Sequence, residues 1–114
     1  MLDFSNNLTE AELERLAILS EECGEVIQVV GKILRHGYES SSPVVHDLGQ
    51  ESNRVILQKE LCDLLLMITF MVISGDMSEE FDNSNEYVNG KIERLNKYFH
   101  HNEITKEDIE RITG

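Results

Sequence analysis

A chain of 114 residues is long enough for one compact domain and too short for two, so a single domain over 1–114 is expected. Its 22 Asp and Glu against 10 Lys and Arg leave a formal net charge of −12. That balance excludes nucleic-acid backbones and anionic membrane surfaces as partners through long-range repulsion, but not a small phosphate ligand carried by metal ions.

Thr9 followed three residues later by Glu12 reads as a capping box that opens a first helix. Its apolar pattern runs without a breaker from Leu13 to Leu34, and Lys32, Arg35 and His36 suit the negative end of the helix dipole ahead of Gly37. Such a helix spans roughly 40 Å at 1.5 Å per residue. Apolar residues lie around most of its circumference, so neighbours are expected to enclose it.

Residues 37–52 form the main loop, with three consecutive serines and the only proline, Pro43. It is long for a helix–helix connection, which suits a mobile segment or a lid. A second helix is predicted from about Asn53 to Ile73, a third from about Asn83 to His101 with Tyr87, Ile92, Leu95 and Phe99 on its inner face, and a short terminal helix at about 105–113 opened by Thr105 and Asp108. No segment alternates with period two, so the expected fold is an all-α antiparallel helical bundle. Leu64 to Ile73 point in every direction around the second helix, more apolar surface than three modest helices bury, which predicts a homo-oligomer.

Cys23 and Cys62 are the only cysteines; they read as small buried residues between packed helices in a reducing compartment rather than as a disulfide. The first residues lack the basic start and apolar core of a signal peptide, and the longest apolar run, 61–73, is short of the roughly 20 residues of a membrane span. A cytoplasmic protein is expected.

Two acidic clusters carry the chemistry. Glu21-Glu22-Cys23-Gly24-Glu25 and Glu60-Leu61-Cys62-Asp63 each sit in strongly apolar surroundings, and Glu22/Glu25 and Glu60/Asp63 are spaced to share a helix face. Read alone, Glu21, Glu22 and Glu25 are an exposed acidic turn of an amphipathic helix, and Glu60 and Asp63 a surface pair with Lys59 bridging Asp63. Asp63 is harder to read that way, because residues 64–73 contain only Thr69 as a polar side chain and a buried lone carboxylate is costly. Four carboxylates brought together call for a hard divalent cation such as Mg2+, and with it phosphate chemistry. Lys32 lies about 10 Å beyond Glu25 on the same face, within reach of phosphate oxygens, and Arg35 follows one turn later. None of His36, His46, His100 and His101 makes an ExxH arrangement, which disfavours a di-iron bundle, and no glycine-rich phosphate loop is present.

The run Leu19 to Gln28 with Lys32-Ile33-Leu34-Arg35-His36-Gly37, together with Glu60-Leu61-Cys62-Asp63-Leu64, resembles the MazG-like all-α nucleoside triphosphate pyrophosphohydrolases and their EExxE…ExxD pattern. Residues 26–59 between the motifs exceed that family's usual connection. The resemblance implies a bundle assembling as a homodimer or dimer of dimers. It also implies cleavage of an NTP or dNTP to the monophosphate and pyrophosphate with Mg2+, Mn2+ being a substitute. Glu22, Glu25, Glu60 and Asp63 would be the metal ligands by position. Glu21 would be a further ligand or the residue orienting the attacking water, and Lys32, Arg35 and Lys91 would contact substrate phosphates. The competing reading is a non-catalytic helical assembly or regulatory protein that keeps an acidic metal-binding core.

Overall fold

The computed structural model describes residues 5–41, 51–78 and 85–113. Its regular structure consists of α1 (Glu10–His36), α2 (Asn53–Ile73), α3 (Asn85–Asn96) and α4 (Lys106–Thr113), with no strand among the described residues. The expected all-α class is therefore the observed one. The chain divides into two compact units, Met1–Ser78 and Glu79–Gly114.

The first unit is an α1–α2 hairpin. Thr9 opens α1 as a capping box: its hydroxyl accepts from the Glu12 N–H at 3.1 Å while the Glu12 carboxylate accepts from the Thr9 N–H at 2.8 Å. The helix stops at Gly37, whose φ of 91° is open to glycine and strained for other residues, and whose N–H donates to the Ile33 carbonyl. Ser52 caps α2 by accepting from the Val55 N–H.

Cross-links at both ends set the helices antiparallel, with two carboxylates facing each other between them. At one end Arg15 donates two hydrogen bonds, of 2.5 and 2.9 Å, to Asp76. Midway, Glu25 meets Glu60. At the other end the Asn53 side chain donates to the Gly37 carbonyl at 3.2 Å, and the Asn53 and Arg54 N–H groups donate to the carbonyls of Ser40 and Tyr38. Arg54 also lies over the Tyr38 ring, 4.2 Å from its centre, and pairs with Glu39.

Among the described residues the buried side chains are Val29, Met67, Met71 and Asn53. This seam is narrow, and much of the apolar sequence faces outward: Ile27 is 71% exposed, Leu34 82% and Leu65 65%. Among the described residues of the first unit, enclosure of α1 by neighbours, expected from its apolar circumference, is not found, because a two-helix contact covers only one stripe of each helix.

Two burial expectations are corrected. Cys23 and Cys62 are both exposed free thiols. With 100° between successive residues, the faces of α1 and α2 that meet are taken by Glu22, Val29, Glu60 and Met67, and the adjacent cysteines turn away. Asp63 is also exposed, as are Leu65 and Leu66 beyond it, so apolar sequence neighbours do not bury it. Lys59 pairs with Glu51 at 2.6 Å and not with Asp63.

The second unit holds α3 and α4. α3 ends at Asn96, earlier than the expected His101, and there the Asn96 amide clasps Ile104, donating to its carbonyl at 3.0 Å and accepting from its N–H at 3.2 Å. Ile92 is half-buried, while Tyr87, Leu95 and Phe99 are more open than an inner face requires. Thr105 and Asp108 form the expected reciprocal cap at the start of α4. Residues 42–50, which hold most of the loop read as a lid, and residues 83–84 of the predicted third helix lie outside the described residues. No helix of the described residues is long and apolar enough to cross a membrane.

Candidate metal centre

Glu22 and Glu25 lie one turn apart on α1, and the antiparallel register places Glu60 of α2 opposite them. Each contributes a carboxylate oxygen, and these oxygens all lie within 4.8 Å of one another. All three side chains are half-buried. One oxygen each of Glu22 and Glu60 is fully buried with no hydrogen-bond partner. Buried acceptors are normally satisfied, so this pair marks a place that stays costly until something positive occupies it.

Electrostatics points the same way. Burial, followed by the charges of Glu25, Asp63 and Glu21, raises the Glu22 carboxyl above its ordinary value. Glu60 is also raised, first by a hydrogen bond with Glu25, then by burial, then by the charges of Glu25, Asp63 and Glu22. Without a cation, crowding and burial favour the protonated forms of Glu22 and Glu60 more than in isolated carboxyls.

A divalent cation fits these residues. The donors are all carboxylate oxygens, the preference of hard Mg2+ or Mn2+, and two of them are otherwise unsatisfied. Asp63 stands outside the 4.8 Å group, yet its charge reaches both Glu22 and Glu60, and it shares a cavity of about 310 Å3 with Glu22, Ile18, Leu66, Met67 and Phe70. Glu21 is exposed beside the cluster and acts on it through charge.

Lys32 and Arg35 line a second cavity of about 330 Å3 at the closed end of the hairpin, together with His36, Ser40, Asn53 and Ile56. The structure thus brings together Glu22, Glu25 and Glu60, with Asp63 and Glu21 alongside, and groups Lys32 with Arg35. Lys91 is exposed on α3, in the second unit. His36, Asn53 and Phe70 escape the sequence motifs. His36 reads as a helix-end charge, Phe70 as one apolar residue among many, and Asn53 as a helix start. Only the pairing of α1 with α2 places them.

A family model for the MazG nucleotide pyrophosphohydrolase domain matches residues 10–99, which contain Glu21, Glu22, Glu25, Lys32, Arg35, Glu60, Asp63 and Lys91. No curated protein and no solved structure matches the chain.

Proposed function

The chain belongs to the MazG nucleotide pyrophosphohydrolase family, and on that premise we propose that it is a Mg2+-dependent hydrolase converting an NTP or dNTP and water to the nucleoside monophosphate and pyrophosphate. The observation that carries this reading is the pair of buried, unpartnered carboxylate oxygens of Glu22 and Glu60 within the Glu22–Glu25–Glu60 group.

In this reading Glu22, Glu25 and Glu60 hold Mg2+, with Mn2+ as a substitute, and Asp63 completes the ligand set from one turn beyond Glu60. When bound, the ion neutralises charge on the phosphate chain and acidifies water. Glu21, exposed at the edge of the cluster, orients the attacking water or adds a ligand. Lys32 and Arg35 bind phosphate oxygens from their cavity. The whole of 1–114 acts as one MazG-like domain in the cytoplasm, with no nucleic-acid or membrane partner.

Self-association as a homodimer or dimer of dimers belongs to the same proposal. It is supported by the open apolar side chains Ile27, Leu34 and Leu65, since covering each large apolar side chain is worth about 1.5–3 kcal/mol.

The test is pyrophosphate release from each of the eight common NTPs and dNTPs, with and without Mg2+. Turnover of at least one nucleotide that needs the metal is expected. Folded, metal-supplied protein that turns over none of them would reject the proposal.

A further inference from the structure

The two cavities lie on opposite sides of the acidic group along the hairpin. Lys32 follows Glu25 by seven residues and Asn53 precedes Glu60 by seven, which in antiparallel helices is the same direction, about 10 Å at 1.5 Å per residue. Ile18 precedes Glu22 and Phe70 follows Asp63, roughly 6 and 10 Å the other way.

Their chemistry is opposite as well. The cavity at the closed end collects Lys32, Arg35 and His36, and among the described residues no carboxylate lines it, in a chain whose net charge is −12. Asn53, buried there, begins a 21-residue helix whose positive end also favours an anion. The other cavity is walled by Ile18, Leu66, Met67 and Phe70, and among the described residues its charged groups are Glu22 and Asp63. A base finds an aromatic and aliphatic wall there, whereas the closed-end cavity offers cationic side chains to the distal phosphates.

We propose that these flanking cavities fix the direction of the bound nucleotide: its β- and γ-phosphates enter the Lys32–Arg35–His36 cavity, and its base and sugar lie toward Phe70. The assignment rests on the hydrolase reading above and adds to it the polarity of the substrate. It makes Arg35 and His36 determinants of pyrophosphate binding and Phe70 a determinant of nucleoside binding. The pyrophosphate product is then held at the closed end, separate from the monophosphate.

The experiment uses inorganic pyrophosphate as probe, titrated calorimetrically into the full chain in Mg2+ buffer, with Arg35→Ala and Phe70→Ala compared by circular dichroism and by KM. Both side chains are exposed, so both variants should fold; Lys32→Ala replaces Arg35→Ala if it does not. Arg35→Ala should weaken pyrophosphate binding about tenfold or more, the loss of one charge-assisted contact. Phe70→Ala should leave that affinity within about twofold, as expected of a separate site, while raising KM for the preferred nucleotide. No pyrophosphate binding by the parent protein, no effect of Arg35→Ala, or equal weakening by Phe70→Ala would each overturn the assignment. The hydrolase reading fails on a different result, the absence of nucleotide turnover.

Discussion

A carboxylate oxygen of Glu60 on α2 lies within 4.8 Å of one of Glu25 on α1, two acidic side chains meeting across the helix seam. In a domain with so small a buried core, this contact occupies space that apolar side chains would fill more cheaply. It is bracketed by cross-links at both ends of the hairpin, Arg15–Asp76 and Asn53–Gly37, so α1 and α2 cannot slide to separate the carboxylates without breaking one of them.

If those carboxylates hold the metal, neutral isosteres remove activity and leave the fold. Glu25→Gln and Asp63→Asn should each cost more than the roughly 10–100-fold typical of lost outer-sphere support at metal sites. Unchanged far-UV circular dichroism with lost pyrophosphate release is the expected pairing. Retained turnover in either variant would show that its residue is not a ligand.

The raised Glu22 and Glu60 carboxyls predict how metal-free stability depends on pH. A carboxyl raised in the native state contributes stability that is complete below its ordinary, unfolded value of about 4.3 and is lost as pH rises through the native value. In EDTA at neutral pH, Glu60→Gln should therefore melt above the parent, and the gap should close as pH falls toward 4. Adding Mg2+ should reverse the order, because only the parent gains binding stabilisation, about 2.7 kcal/mol at a hundred times Kd. Scanning fluorimetry across pH, with and without Mg2+, measures both. A gap that ignores pH and metal would contradict the cluster's electrostatics.

The Arg15–Asp76 pair gives a prediction of opposite sign. Its hydrogen bonds hold the Asp76 carboxyl below its ordinary value, against the opposing effect of burial. That stability is present above the ordinary carboxylate range and is lost as pH falls through the lowered native value. Asp76→Asn should melt below the parent at pH 7, with the difference shrinking in acid, and thermal scans from pH 7 to pH 3 should show the convergence. Equal melting temperatures at pH 7 would mean that the clamp does not hold the hairpin.

Association is tested on the open apolar faces. Leu65→Glu and Ile27→Glu place charge where the proposed assembly covers side chains, and each should weaken it about tenfold or more. Sedimentation equilibrium of the parent should give a multiple of 13.1 kDa, with both variants shifted toward that mass. A monomeric parent at micromolar concentration would remove self-association from the account.

Local signals in the sequence were sufficient for much of this architecture. Thr9 with Glu12, Gly37, and Thr105 with Asp108 are short-range capping chemistry, and each appears where its spacing places it. Glu22, Glu25 and Glu60 were legible because carboxylates interrupt otherwise apolar helices. What stayed hidden depends on long-range geometry. The early end of α3 is made by Asn96 reaching Ile104. The outward turn of Cys23 and Cys62 follows from which stripe of each helix meets the other. The basic cavity exists only once Asn53 is brought to Gly37. The opposition of two cavities around the acidic group likewise needs the antiparallel register, which no single-helix pattern contains.

The proposed hydrolase activity requires that α1 and α2 together hold a hard divalent cation. Mn2+ titration followed by electron paramagnetic resonance measures it without relying on turnover: free ion signal should disappear saturably in the parent, and its loss should be abolished by Glu22→Gln combined with Glu60→Gln, one change on each helix. Mn2+ that stays free with the parent, or that binds the double variant as tightly, would contradict it.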